Sequence, residues 1–314
     1  MKTKKDISII VPVFEEQDSI KQLYLEIKEN VNNKYDWEII FVNDGSKDNS
    51  KKIILDLITN DSNVKLIDFL TNKGKSEALN AGFKKCSGNI VLTLDADLQD
   101  DPKEIDSFID KVKQTNGLVS GWKKNRLDSL SKRIQSKIFN FVLRFLTGIR
   151  IHDFNCGFKA YPVEAVKMIN IYGGLHRFIP ILVKNNGFEV SELIVNHRKR
   201  EHGNSKYTKS RIFHGFFDLI TLMFFKKYLT RPLHLFGSLG LLLFLVGVII
   251  NIYLTINWFN GIWITPFKNP LFFLGLLLLI IGVQFFSIGL VCELIVNINK
   301  NKNIDIARYF NFEE

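Results

Sequence analysis

Two carboxylates stand two residues apart where an apolar run ends: LTLDADLQDDP at 92–102 carries Asp95, Ala96 and Asp97, with Gln99 two positions further on. Side chains in a strand alternate between faces, so Asp95 and Asp97 are expected on one side of a sheet and Ala96 on the other. Hard oxygen ligands at this spacing select Mg²⁺ or Mn²⁺, ions that keep open positions for substrate phosphates, and the Gln99 amide adds a further oxygen. The same triplet also serves as a solvated acidic turn at a strand end. Its surroundings decide between the two.

Those surroundings alternate strand and helix. ISIIVPV (7–13), WEIIFV (37–42), VKLIDF (64–69) and NIVLTLD (89–95) read as strands, separated by helices near 17–31, 48–60 and 74–86. Short Val/Ile-rich runs between helices predict a mostly parallel α/β sheet covered on both faces. Ligands of such sheets bind beyond the carboxyl ends of the strands. The polar residues gather there: Glu15 and Glu16 after the first strand, Asp44 with Gly45 and Ser46 after the second, and Asp95 to Gln99 after the fourth.

VPVFEE (11–16), VNDGSKDNS (42–50), NKGKSEALNAGF (72–83) and LDADLQ (94–99) together resemble the family 2 glycosyltransferases with a GT-A fold, a Rossmann-like nucleotide-diphospho-sugar transferase architecture. The likeness continues through GFKAY (157–161), HRFIP (176–180) and HRKREHGNSKY (197–207), and is similar in particular to the dolichyl- or polyprenyl-phosphate hexosyltransferases. That resemblance implies an enzyme that moves one hexose from a UDP- or GDP-sugar to a polyprenyl phosphate with inversion. It implies Asp97 and Gln99 as the metal ligands, and Asp95, Asp97 and Asp153 as catalytic-site carboxylates, Asp153 being equally suited to cap the segment after it. Pro12, Phe14, Glu16, Val42, Asp44, Gly74, Lys75, Asp95, Ala96, Arg200 and Lys206 are implied as donor contacts. Lys123, Arg133 and Ser136 fall where the acceptor phosphate is expected, within the basic stretch GWKKNRLDSLSKRIQSK (121–137), whose plain reading is a solvated helix face. Lys123 stands where many relatives carry Arg, which keeps the charge and loses the bidentate fork.

The C-terminal third changes character. From Pro232 to Phe267 there is no Asp, Glu, Lys or Arg, and a second uncharged run spans 269–292. Each is long enough to cross a bilayer. The expected organisation is a catalytic domain at 1–207, an amphipathic juxtamembrane helix at 208–231, two transmembrane helices within 232–297 (about 233–256 and 270–293), and a tail at 298–314. Lys206, Lys209, Arg211, Lys226, Lys227 and Arg231 precede the first span and Lys300, Lys302 and Arg308 follow the second, whereas the loop between holds only Lys268. By the positive-inside rule the catalytic domain and both termini are cytoplasmic, in a multi-pass protein of the cytoplasmic membrane. No signal peptide is expected, since the apolar run Ile7 to Phe14 ends in Glu15 and Glu16. The net charge of +10 clusters beside the spans and around 123–137. Anionic lipid and phosphate are therefore the expected partners, with no nucleic acid. Cys86, Cys156 and Cys292 have no paired spacing, and two spans are compatible with a homo-oligomer.

Two other readings share these features. A processive polysaccharide synthase would carry a Q-x-x-R-W motif, and none of Trp37, Trp122, Trp258 and Trp263 follows an Arg. A non-enzymatic membrane scaffold would have lost Asp97 or the basic cluster, and both are present.

Overall fold

The computed structural model describes residues 5–124, 130–198, 232–261 and 269–300, the side chains of 130–133, 135 and 296–300 excepted. Two compact units, Met1–Asp218 and Leu219–Glu314, are each considered by themselves. The expected boundary at 207/208 and the juxtamembrane helix at 208–231 lie outside the described residues.

The first unit is built on a seven-stranded sheet of order β3-β2-β1-β4-β6-β5-β7. Its strands are β1 Ile7–Val13, β2 Trp37–Asn43, β3 Val64–Asp68, β4 Ile90–Thr93, β5 Leu118–Trp122, β6 Lys159–Pro162 and β7 Val190–Ile194. Parallel pairs join β1 to β2 and β4, β2 to β3, and β5 to β7. Strand β6 runs antiparallel between β4 and β5. Helices α1 (Ile20–Val31), α2 (Ser50–Asn60), α3 (Lys75–Lys85) and α4 (Ile105–Thr115) form the crossovers. They cover the sheet with Leu23, Ile27, Ile54, Phe83, Phe108 and Ile109, all 2 % exposed or less. Doubly covered strands lose access to water on both faces. This explains why β1 and β2 read as apolar runs rather than alternating ones. Helix α5 (Leu130–Thr147) and the short α6 (Val163–Met168) and α7 (Ile179–Asn185) complete the unit. The arrangement is a GT-A-like, mostly parallel α/β sheet, as the motifs predict.

One expectation is corrected. The strand carrying the Asp pair ends at Thr93, so Asp95 and Asp97 lie beyond it in a turn and do not inherit strand alternation. The cause is the loss of a partner: β6 begins at Lys159, which pairs with Thr93. The last backbone bond of the run is Leu94 N–H to Ile10 O at 3.2 Å. The chain then turns through Leu98, held at φ +60° with its side chain buried.

The second unit is a hairpin of α8 (Leu233–Phe259) and α9 (Pro270–Lys300). The stretches Leu233–Phe259 and Pro270–Ile295 have mean hydropathies of 2.5 and 2.6, yet only 17 % and 11 % of an 18-residue apolar window within each is buried in the protein. A core helix of a soluble protein would be mostly buried. Leu241, Leu245, Ile249, Ile252 and Ile256 are each more than half exposed, while Gly237, Gly240 and Gly247 face the partner helix. A Cβ on Gly240 would come within 2.7 Å of Gly282 O, and one on Gly282 within 2.7 Å of Phe244 N. Small residues at these positions let two backbones touch, which is how helices associate where lipid removes the hydrophobic drive. Leu233 N–H, orphaned at the start of α8, donates to Glu293 Oε2 of α9 at 3.3 Å.

Candidate functional site

The strand ends of β1, β2 and β4 are tied into one edge. Asp44, 4 % exposed, accepts the backbone N–H groups of Lys73 (Oδ1, 2.7 Å) and Gly74 (Oδ2, 2.9 Å). The end of β2 thus shapes the loop that opens α3. Gly74, at φ +93°, caps that helix and Lys75 is its first residue. Across the edge, Glu15 N–H donates to Ser46 Oγ at 3.0 Å and Glu16 N–H to Ser50 Oγ at 3.1 Å, joining the loops after β1 and β2. Gly45, at φ +68°, has the Thr71 and Asn72 backbone within 2.6 Å of where a Cβ would stand, so no side chain fits between the loops after β2 and β3.

Lys75 Nζ donates to Asp95 Oδ1 in an ion pair about a third exposed on each side. Burial pushes the Asp95 carboxyl up, but Lys75, with the charges of Lys123 and Lys159, outweighs it and holds the group down at about 2. Lys75 is raised in turn: burial works against its charge, and Asp95 overcomes it. Asp95 also lies against Gly157, where any Cβ would fall on the carboxylate. Pro12, Lys75, Thr93 and Asp95 line one pocket together with Asn155, Cys156, Gly157, Lys159, Tyr161 and His176.

Asp97 sits on the other arm of the turn, its Oδ1 accepting Gln99 N–H at 3.3 Å. Burial, then the charges of Asp95 and Asp100, raise its pKa to about 6. Asp100 is 1 % exposed and its Oδ1 lies 2.8 Å from Lys123 Nζ, while Oδ2 has no hydrogen-bond partner among the described residues. Among the described residues no three His, Cys, Asp or Glu side chains form a closed metal cage. Mg²⁺ and Mn²⁺ seldom need one where substrate phosphates complete the shell. A half-buried Asp97 whose carboxyl is raised to about 6 by burial and by two other carboxylates, with an Asp100 oxygen close in the chain that has no hydrogen-bond partner among the described residues, fits a divalent cation held by Asp97 and Gln99.

The other expected residues distribute unevenly. Val42 and Ala96 are buried in the walls of this edge, and Phe14 and Glu16 are half-buried at the end of β1. Lys123, only 10 % exposed in its side chain, is turned onto Asp100. Ser136 lies on α5 and accepts from Asn140 Nδ2 at 3.3 Å. Asp153 is buried and its Oδ1 accepts Asn155 N–H at 3.1 Å, so it shapes the turn that presents Asn155. Asp153 does not line the pocket beside Asp95. The side chain of Arg133, and Arg200 and Lys206 altogether, lie outside the described residues. The chain leading toward Arg200 passes this edge: Arg198 N–H donates to Gln99 O at 3.0 Å, and its guanidinium bridges Glu26 and Asp101 at 2.6 and 2.5 Å.

Lys159 and His176 are among the pocket residues that reasoning from the sequence alone missed. Lys159 is 3 % exposed, donates to Cys156 O, and has its pKa lowered by burial against the pull of Cys156 and Asp153. His176 N–H donates to Ser76 Oγ at 3.0 Å, and that hydroxyl lies 2.9 Å from Nδ1 of the same ring. Both stand in motifs noted above, GFKAY and HRFIP, where a polar residue amid apolar ones was the only signal. Cys156 is no nucleophile, since burial pushes its thiol up to about 12.

Residues 8–169 match the profile of Glycosyl transferase family 2. The chain is 34 % identical over 302 residues to the dodecaprenyl-phosphate galacturonate synthase of Rhizobium johnstonii, covering 92 % of this chain and 87 % of that one. It is 34 % identical over 291 residues to an undecaprenyl-phosphate 4-deoxy-4-formamido-L-arabinose transferase of Pseudomonas fluorescens, covering 91 % and 83 %. In fold it is similar to glucosyl-3-phosphoglycerate synthase of Mycobacterium tuberculosis. The structure of that enzyme with UDP aligns at TM-score 0.52 and 17 % identity over 70 % of this chain and 79 % of that one. The structure with Mn²⁺, UDP and phosphoglyceric acid aligns at 0.51 and 19 % over 62 % and 72 %.

Proposed function

Because this chain belongs to glycosyl transferase family 2, we propose that it is a membrane-bound glycosyltransferase that moves one sugar from a nucleotide diphosphate onto the phosphate of a polyprenyl lipid. The observation that carries the reading is the union, in one chain, of the Asp95–Lys75 and Asp97 edge with two helices long enough to span a membrane. Similarity over nine-tenths of the chain to two transferases named for polyprenyl-phosphate acceptors supports the acceptor. The division into a catalytic part at 1–207, a juxtamembrane helix at 208–231, spans within 232–297 and a cytoplasmic tail is part of this proposal.

A phosphate oxygen of the lipid attacks the anomeric carbon, the bond to the diphosphate breaks on the opposite face, and a nucleoside diphosphate leaves with the bonding electrons. The acceptor is already an anion at neutral pH, so positioning supplies much of what a general base would otherwise do. Asp97 and Gln99 would hold a Mg²⁺ or Mn²⁺ that neutralises charge on the departing diphosphate. Lys75 balances Asp95 at the sugar end of the pocket. Pro12, Phe14, Glu16, Val42, Asp44, Gly74 and Ala96 frame the nucleoside, Arg200 and Lys206 meet the donor diphosphate, and Lys123, Arg133 and Ser136 receive the acceptor phosphate.

For the sugar, a hexose is the first reading. Lys159 in the pocket wall favours a second, a hexuronate, whose carboxylate a buried cation would match. A donor panel with vesicle-borne polyprenyl phosphate separates them. Lys159→Gln is expected to raise KM for a UDP-hexuronate and leave that for a neutral UDP-hexose unchanged if the second reading holds. Equal effects on both return the assignment to hexose.

The acceptor is tested by comparing lipid phosphate with the matching lipid alcohol. Transfer is expected to the phosphate alone, with a β-linked product from an α-linked donor. Arg133→Ala is expected to weaken use of the lipid phosphate by about 2–5 kcal/mol with donor binding unchanged. Equal use of the alcohol, or an α-linked product, overturns the proposal.

A further inference from the structure

We propose that Arg198 is a positioning residue for the cation-binding turn: it clamps Gln99 and Asp101 to α1, and the affinity of Asp97 and Gln99 for a divalent cation depends on that clamp. The inference rests on the reading of Asp97 and Gln99 as the cation's ligands. The turn needs such support. Leu98, between the two ligands, is held at φ +60°, a conformation uncommon for a leucine and kept only where the surroundings impose it. Three consecutive residues after β7 supply part of those surroundings. Asn196 N–H donates to Glu104 Oε1 at 2.8 Å, His197 forms an antiparallel bridge with Asp100, and Arg198 N–H donates to Gln99 O at 3.0 Å. Gln99 N–H in turn donates to Asp97 Oδ1 at 3.3 Å, so both backbone groups of Gln99 are engaged.

The Arg198 side chain extends the clamp to a second element. Its Nη1 donates to Glu26 Oε2 on α1 at 2.6 Å and its Nη2 to Asp101 Oδ1 at 2.5 Å. The side chains of Arg198, Glu26 and Asp101 are 27 %, 23 % and 11 % exposed, so solvent and salt screen these pairs less than they would open surface pairs. A rigid planar fork between two carboxylates on separate elements fixes their spacing, which a point charge does not. Charge and position pull in opposite directions here. Asp95, Asp97, Asp100, Asp101 and Glu104 crowd residues 95–104. As a charge alone Arg198 would repel a divalent cation from them, and its loss would tighten cation binding. As a clamp, its loss frees Gln99 and weakens binding, and partners that orient metal ligands account for about 10–100-fold in affinity.

The test is Mn²⁺ binding to the full-length protein in detergent, without donor or acceptor, followed by the electron paramagnetic signal of the free ion. Arg198→Ala is expected to raise the Mn²⁺ Kd about 10-fold, and Arg198→Lys, which keeps the charge and loses the fork, to raise it less. Glu26→Gln is expected to weaken binding in the parent and to add nothing in Arg198→Ala, because its effect passes through the guanidinium. Lys28→Ala breaks another ion pair of α1, with Asp61 Oδ2 at 2.8 Å. It is expected to lower the thermal midpoint with the Kd unchanged, which separates loss of stability from loss of positioning. Mn²⁺ held by Arg198→Ala as tightly as by the parent, or more tightly, overturns the proposal, as does a Glu26→Gln effect that is the same with and without Arg198. If Arg198→Ala does not fold, an unchanged Kd in both Arg198→Lys and Glu26→Gln overturns it. Asp97→Asn marks the other failure: if it binds Mn²⁺ as the parent does, the cation reading falls and the proposal falls with it.

Discussion

Replacing Asp97 with asparagine is expected to abolish transfer, by about three orders of magnitude, in a protein that folds as well as before or better. The side chain keeps its shape and loses the charge that a divalent cation and the donor diphosphate require. Stability moves the other way because the folded state raises this carboxyl from 3.8 to about 6, through burial and the charges of Asp95 and Asp100. A group whose folded pKa is raised stabilises the fold when protonated. That contribution is present below the unfolded value and lost as pH rises through about 6. At pH 7 the metal-free protein carries the cost of the ionised group and Asp97→Asn escapes it. The midpoint of thermal unfolding of the first unit in full-length protein should then be no lower than in the parent. Binding of Mn²⁺ to the parent, followed by its electron paramagnetic signal, should weaken as pH falls below about 6, where protons compete for Asp97. Full activity in excess chelator, or in Asp97→Asn, would show that the turn is the solvated acidic alternative.

The second large effect is structural. Gly282→Leu is expected to break the α8–α9 hairpin, because its side chain would have to occupy space held by Phe244 N and Gly240 O. Overpacking among side chains costs about 1–3 kcal/mol because rotamers yield, and backbone atoms of a neighbouring helix do not. Leu245→Ala, on the exposed side of α8, removes atoms only from contact with lipid and should be tolerated. Monodispersity in detergent and yield of full-length protein read the difference. A Gly282→Leu protein that matches Leu245→Ala in both would mean that the helices do not meet along these glycines.

The first four strands were readable because each is a short Val/Ile-rich run with a helix on either side, and their observed limits fall within two residues of those expected. Both long apolar helices were readable for a similar reason, since a long uncharged stretch has few alternatives. Strand β6 was not. KAYP offers four residues with no period, and its antiparallel course depends on partners distant in sequence. The end of β4 at Thr93 followed from that hidden strand, so the geometry of the Asp pair could not be drawn from its own spacing. The pocket role of Lys159 was equally hidden, because burial of a lysine is decided by what packs over it. The positive charges of 121–137 are plain in the sequence, whereas the outward placement of Ile134, Ile138, Phe141 and Phe145 on α5 depends on which face of that helix the rest of the unit covers.

The contacts between α8 and α9 also bear on how the hairpin tolerates changes in length. Gly240 meets Gly282 and Gly247 meets Gly275, and seven residues separate the members on each helix, two turns in register. One residue inserted between Gly240 and Gly247 would turn one glycine about 100° away from the seam and bring a bulky neighbour into its place. Nearly any apolar residue serves on the lipid side, so the hairpin is permissive toward substitution and strict toward insertion. Single-residue insertion scanning should therefore find α8 intolerant between these glycines even where every point substitution on its outer face is accepted.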